Sequence, residues 1–468
     1  SHTGLSIFWT AGSFPEYSSL KIFIIMIVTN YWNCAWRSLT KKKGFSVVNI
    51  VGLAIGMAAA LLILTYVAFE YSYDDMHSRQ DRIFRVEARF YENGELTDDW
   101  ASSSAGYATA MKQNMSAVEA YTRVGSQYYP EQVVKYNELL YRETGIGYAE
   151  ANFFDFFDFK LLKGNKESCL DGPNKVVITE RIARKYFKGA DPIGKILIFR
   201  SNIGEEACEV TGIMEDMPIN THIRYNLLIS YKTLPKWMDE YWYRHEVYSY
   251  VLLKSANLKT QVEEDFPVMA EKYKTEEALK NKTWAIQLTN LRDIHLNPQK
   301  AYEPEVKGNR SSIWVLICTA LAILCIAWIN YINMTVARSM ERAKEIGIRR
   351  ASGASRRQVI SQFLFESLVT NSIAFILAIG LMEAFNNLTG RDLSFSVWFT
   401  TSLGWYLLLI FAAGVFLSGF YPATVLSGIK PIRMLKGKFT HTHGATVTRK
   451  VLVVLQYTAS LVLLCGTL

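Results

Sequence analysis

Four long apolar runs constrain this chain more than any other feature. A helix needs about 20 apolar residues to cross the hydrocarbon of a bilayer. Val47–Phe69 meets that length with Asn49 as its one strongly polar residue, and Ser312–Val336 and Phe399–Tyr421 also qualify. Val359–Met382 carries Gln362, Glu366 and Asn371 and is a weaker span, and Val451–Leu468 reads as the start of a fifth. Mean hydropathy is +0.06, high for a soluble chain of 468 residues. The expected fold class is therefore an α-helical transmembrane bundle, four spans plus the start of a fifth, carrying a large inserted mixed α/β domain.

Loop charge sets the direction. Residues 71–310 hold 36 acids and 32 bases, so the remaining chain holds 7 acids and 19 bases. The basic residues cluster in three loops: Arg37 and Lys41–Lys43 before the first span, Arg338 to Arg357 after the second, and Lys430 to Lys450 after the fourth. These alternate with the acidic insert and with a short loop at Arg391 and Asp392. The positive-inside rule then places the N-terminus in the cytoplasm and residues 71–310 outside. A basic excess lying beside apolar runs reads as topology, and nucleic acid is not an expected partner. Residues 1–25 fit this pattern poorly. Ile22–Val28 is too short to span, and Met26 is a plausible start.

The 240-residue insert reads as a mixed α/β domain. Arg82–Phe90 alternates like a strand, as do Glu209–Ile213 and Asn226–Ser230. Ile178–Phe187 reads as a helix with Thr179 as its N-cap. Phe153, Phe154, Phe156, Phe157 and Phe159 read as core. Gly189–Ile196 mimics a nucleotide loop but lacks the Ser or Thr that would hold magnesium, and Pro192 removes a backbone donor. No motif points to catalysis, to a metal or to a cofactor. Cys169 and Cys208 could pair if the insert lies in an oxidising compartment.

Trp328–Ser367 is the most informative stretch. The second span runs out into a charged helix in which Glu341, Glu345 and Arg349 share one face at i,i+4 spacing. Glu345 preceding Arg349 is the favourable order, contributing roughly 0.2–0.5 kcal/mol. Ile346 and Ile348 add apolar surface, and Gly353 can end the helix. A solvated loop explains Arg349 and Arg350 but neither the glutamates nor the isoleucines. In the first span Gly52 and Gly56 form a GxxxG pair, a candidate helix-packing face.

Several stretches together resemble the MacB/FtsX-type ABC transporter permeases, in particular their larger members. NYWNCAWRSLTKKKGFSVVNIVGLAIGMAAALLI is similar to the first span, YDDMHSRQDRIFRV to the approach to the periplasmic domain, and VVITERIARKYFKGADPIGKIL and EVTGIMEDMP to that domain's recurring segments. ERAKEIGIRRASGASRRQVISQFLFES resembles the cytoplasmic coupling segment.

The resemblance implies a bacterial inner-membrane protein. It divides the chain into an N-terminal extension (1–25), a cytoplasmic lead with the first span (26–70) and the periplasmic domain (71–310). The second span (311–337), the coupling segment (338–357), the third (358–384) and fourth (399–421) spans follow. A cytoplasmic loop (422–450) leads to the start of a fifth span (451–468), which resembles the opening of a second permease half. The implied partners are a cognate ABC ATPase, a second permease half or a homodimer mate, a periplasmic or outer-membrane component, and lipid. The implied ATPase contact is Glu341, Arg342, Glu345, Ile346, Gly347, Ile348, Arg349 and Arg350, with the Gly353-Ala354-Ser355 turn. The implied action is mechanotransmission, in which ATPase motion moves the periplasmic domain. The competing expectation is a membrane-anchored sensor or adaptor without ATP coupling.

Overall fold

The computed structural model describes residues 29, 31–33, 36, 37, 40, 43–125, 131–201, 204–237, 242, 244–274, 281–304, 307–389, 398, 404–427 and 443–467. The expectations for residues 1–25, Ile22–Val28, Met26, Lys41, Lys42, Arg391, Asp392 and Lys430 to Lys438 lie outside these. Two compact units form, one from Phe69–Ser312 and one from the chain on either side of it.

In the flanking unit, four helices among the described residues are long and apolar enough to cross a membrane: Lys43–Tyr71, Arg310–Ala337, Arg356–Asn387 and Gly404–Thr424. The helix His443–Thr467 carries a shorter apolar run, Lys450–Val462. Small residues let the first two helices approach. A Cβ on Gly56 would lie 2.5 Å from that of Ala327, and one on Gly52 would lie 3.6 Å from Asn330 Nδ2. Across the third and fourth helices, the Ser367 and Ser418 hydroxyls lie 2.5 Å apart, and Ser367 Oγ donates to the Val415 carbonyl at 3.0 Å. Such bonds satisfy side-chain polar groups where no water is at hand. Glu366 is buried in the third helix.

Among its described residues, the inserted unit is built on one 13-stranded sheet. Its strands in chain order are Ile83–Glu92 (β1), Glu95–Trp100 (β2), Val118–Gly125 (β3), Glu131–Tyr136 (β4), Leu139–Thr144 (β5), Ile146–Ala149 (β6) and Leu161–Lys163 (β7). Lys175–Thr179 (β8), Ile196–Ser201 (β9), Gly204–Met214 (β10), Leu227–Ser230 (β11), Val247–Leu253 (β12) and Thr283–Asn290 (β13) complete it. The order is β13-β1-β12-β3-β6-β11-β8-β10-β9-β4-β5, with β2 beside β1 and β7 beside β10. β10 pairs with β8, and β11 with β6, in parallel. The helices Ala105–Asn114 and Lys259–Ala270 cover the β1–β13 region through Tyr107, Met111, Val262 and Phe266.

The alternation in β1 has an unexpected outcome. Phe84, Val86, Ala88 and Phe90 enter the core, as period-2 patterning demands. Arg85 and Glu87 point to the other face and are also buried, although charged residues in a strand normally face water. Lys300, Glu303 and Lys307 cover them. Arg85 bonds Glu87 and Glu303 at 2.6 Å each, Lys307 bonds Glu303 at 2.6 Å, and Lys300 reaches Glu87 at 2.8 Å and Asp99 at 2.6 Å. Each buried charge therefore has an opposite one, as burial in a low dielectric requires. The Arg85 guanidinium is held charged: burial opposes this, but the neighbouring Glu87 and Glu303 outweigh it.

Phe153, Phe154, Phe156, Phe157 and Phe159 are all core. The helix Glu180–Phe187 starts two residues later than the sequence suggests, because Ile178 and Thr179 complete β8. Its cap is Thr179, whose side chain accepts from Ile182 N–H. Gly194 turns the chain at φ +77° into β9, so the nucleotide-loop mimic leads into a strand. Cys169 and Cys208 are free and buried in separate core clusters, so the expected option of a disulfide between them is not taken.

Candidate functional site

The second apolar helix does not stop at the membrane limit. Arg310–Ala351 is one unbroken helix of 42 residues, so the span runs out into the charged stretch without a break. Two residues beyond its end lies Gly353, whose φ of +97° only glycine adopts cheaply. The Gly353 N–H donates to Arg350 O and the Ala354 N–H to Arg349 O, closing the last turn. Ser355 starts the next helix through a reciprocal capping box with Gln358. That Ser-x-x-Gln signature was legible in the sequence and is the local reason the chain reverses here.

Four polar bonds and a small apolar core hold the hairpin. Arg349 pairs with Glu345 at 2.8 Å and donates to Gln362 Oε1 at 2.9 Å. Arg350 donates to the Ser427 carbonyl at 2.8 Å, and Arg356 to the Ser427 hydroxyl at 3.1 Å. Ile346 packs with Val359, Phe363 and Ala423. The C-terminus of the fourth helix is thereby tied to the end of the second. Sequence reasoning missed Gln362, Ser427 and Ala423, because nothing local marks a partner 77 residues away.

The anticipated contact set divides in two. Glu345 is exposed, Ile348 is 52% exposed, and Gly353 and Ser355 are exposed, with Ala354, Arg349 and Arg350 half-buried. Ile346 and Gly347 are buried. This corrects their reading as offered surface: a position two residues from Ile348 falls on a different helix face, and here that face meets the hairpin core. Glu341 and Arg342 lie on the same helix, and their side chains are outside the described residues.

Within the inserted unit, two buried histidine–carboxylate pairs join distant parts of the chain. His295 Nε2 lies 2.8 Å from Glu70, with the Tyr73 ring stacked on the imidazole at 3.4 Å. Gly308 makes room for this pair, since a Cβ there would lie 2.6 Å from Glu70 Oε2. His222 Nδ1 lies 2.7 Å from Asp74, and Nε2 lies 2.9 Å from the Tyr250 hydroxyl. If Nδ1–H donates to the carboxylate, Nε2 accepts from Tyr250 O–H. Burial tends to raise the Asp74 carboxyl, but His222 and Thr221 hold it below its ordinary value. Beside it, burial pushes His77 down to about 4. Among the described residues no three His, Cys, Asp or Glu side chains group as metal ligands would.

The sequence model of the MacB-like periplasmic core domain matches residues 46–267, and that of the FtsX-like permease C-terminal region matches 317–431. The macrolide export ATP-binding/permease protein MacB of Neisseria meningitidis is 27% identical over 255 residues, covering 53% of this chain and 36% of that protein. The probable syringafactin export ATP-binding/permease protein SyfD of Pseudomonas syringae is 24% identical over 366 residues, covering 75% of this chain and 50% of that one. The chain thus spans half or less of the length of these two relatives. A permease-protein domain from Porphyromonas gingivalis superposes with TM-score 0.42 at 23% identity, covering 49% of this chain and 96% of that one. The periplasmic region of MacB from Actinobacillus actinomycetemcomitans gives TM-score 0.29 at 14% identity, covering 42% and 87%.

Proposed function

The chain belongs to the MacB/FtsX-type ABC transporter permeases, and on that premise we propose that it passes motion from a separate cytoplasmic ATPase to its periplasmic lobe. It is a multi-pass inner-membrane protein in which the inserted unit is the periplasmic domain. In the proposed orientation, the N-terminus and the Gly353 turn face the cytoplasm.

The observation that carries this reading is the unbroken helix Arg310–Ala351. At 1.5 Å per residue it is about 63 Å long, roughly twice the hydrocarbon thickness. An unbroken helix transmits tilt and displacement along its axis, whereas a flexible loop would absorb them. Its far end presents Glu345 and Ile348 together, a charged and an apolar element suited to an ATPase groove. Ile346 holds that end against the third and fourth helices through Val359, Phe363 and Ala423, so a push on the turn moves three helices together.

Switching needs two packings of the bundle that the ATPase states bias differently. Taking the balance from 1:99 to 99:1 requires about 5.5 kcal/mol of differential binding. The polar bonds of the hairpin are individually weak and exchangeable, which suits a junction that must repack. Export or lipoprotein, macrolide or peptide handling would follow from what the periplasmic lobe engages.

The test is co-purification with the cognate ATPase and stimulation of its turnover by the permease in lipid. Glu345→Lys is expected to abolish association while membrane insertion stays intact. Undiminished complex formation by this variant would count against the coupling assignment, whereas the sensor or adaptor alternative expects residues 338–357 to be dispensable. A cysteine at Glu345 should resist an impermeant thiol reagent added from the periplasmic side, and labelling from that side would overturn the orientation.

A further inference from the structure

The membrane unit contains two buried polar atoms of opposite sense on residues that line one gap. The gap lies among all four long helices and measures about 280 Å³, counting its open side. Its walls are aliphatic and aromatic except at Trp328 and Asn371. Both residues are more than nine-tenths buried. Trp328 Nε1, a donor, and Asn371 Oδ1, an acceptor, have no hydrogen-bond partner.

The amide orientation is not arbitrary. Asn371 Nδ2 donates to the Ser367 carbonyl at 2.8 Å, which only the NH₂ end can do. Oδ1 is therefore the atom left over. The two groups converge on one turn of the fourth helix. A Cβ on Gly414 would lie 2.9 Å from Trp328 Nε1. Asn371 Nδ2 lies 3.2 Å from Ser418 Oγ, which in turn donates to the Gly414 carbonyl at 2.6 Å. Glycine at 414 is what leaves space beside the indole nitrogen.

We propose that this gap is a binding site for one hydroxyl group, which accepts from Trp328 Nε1–H and donates to Asn371 Oδ1. A hydroxyl supplies both roles in one atom. The enclosed part of the gap is about the size of one water molecule. An apolar body attached to the hydroxyl would lie along the open, apolar side. The same chemistry has two sources: a water molecule, or the alcohol of an amphiphile carried in the bilayer. The site is separate from the cytoplasmic turn and does not depend on the proposed function.

The test uses the full chain with ¹⁵N-indole tryptophan in nanodiscs. Trp328→Phe identifies the Trp328 indole resonance in the NMR spectrum. The expected resonance is displaced downfield as a hydrogen-bonded N–H and moves in Asn371→Leu. Exchange with water, unaffected by 1-octanol, assigns the hydroxyl to water. A saturable shift with 1-octanol that is lost in Gly414→Ala assigns it to an amphiphile. A Trp328 N–H at the position of a free indole, with neither water exchange nor a response to 1-octanol, overturns the proposal. That reading is made on the wild-type chain, so misfolding of a variant does not shield it.

Discussion

Ile346 and Ile348 are two residues apart on the same helix end, and the structure gives them opposite environments, for which the proposed coupling predicts different effects. Ile346 is 6% exposed within a small cluster of Val359, Phe363 and Ala423, whereas Ile348 is 52% exposed. Truncating a buried isoleucine to alanine costs about 2–5 kcal/mol, and a cluster this small can collapse, which favours the lower end. Ile346→Ala should therefore loosen the hairpin by about 2 kcal/mol. Ile348→Ala should leave stability within about 0.5 kcal/mol. Full burial of an isoleucine stabilises by about 1.5–3 kcal/mol, and half of Ile348 remains to be buried, so docking should gain about 0.8–1.5 kcal/mol from it. That converts to about a 4- to 12-fold loss of ATPase affinity in Ile348→Ala. Titrating the purified ATPase onto the permease in nanodiscs, alongside thermal unfolding of each variant, separates the two effects. Unchanged affinity in Ile348→Ala, or weakened binding in Ile346→Ala with no loss of stability, would refute the assignment of inner and outer faces.

Three further outcomes concern the periplasmic lobe. Gly308→Ala places a Cβ 2.6 Å from Glu70 Oε2 and 2.9 Å from His295 Nε2, so it should cost about 1–3 kcal/mol of lobe stability by overpacking, measured by denaturant unfolding followed by tryptophan fluorescence. Arg85→Met leaves two buried carboxylates short of a partner and should cost about 3–5 kcal/mol in the same assay, while Arg184→Met, at an exposed pair, should cost under about 1 kcal/mol. His77 has its folded pKa pushed down to about 4, with Asp74, His222 and Asp158 facing it. Between its unfolded value of about 6.5 and about 4 the unfolded chain binds the extra proton, so lobe stability should fall by up to about 3 kcal/mol as pH drops through that window. His77→Gln should flatten this slope in melts from pH 7.5 to 4.5. The Asp74 carboxyl, held low, adds a separate loss only below its unfolded value of about 3.9.

The number of long apolar helices, the place of the insert and the ends of the coupling hairpin were legible in the chain. Each depends on a local rule. Twenty apolar residues must be helical in lipid, a glycine at positive φ stops a helix, and Ser355 with Gln358 starts one. The Phe153–Phe159 run was likewise readable as core, since five aromatic rings in seven residues have few other places to go.

What the sequence could not express was which side of an element would be covered. Arg85 and Glu87 occupy strand positions that period-2 patterning assigns to water, yet Glu303 and Lys307, more than 200 residues later, enclose them. Ile346 and Ile348 look equivalent as apolar residues until Val359 and Ala423 take one of them. Trp328 and Asn371 become a matched donor and acceptor only because Gly414 brings a fourth helix against the indole. Local propensity sets the elements because it is decided within a few residues. Burial and charge pairing belong to contacts between distant segments, so only the tertiary structure decided them.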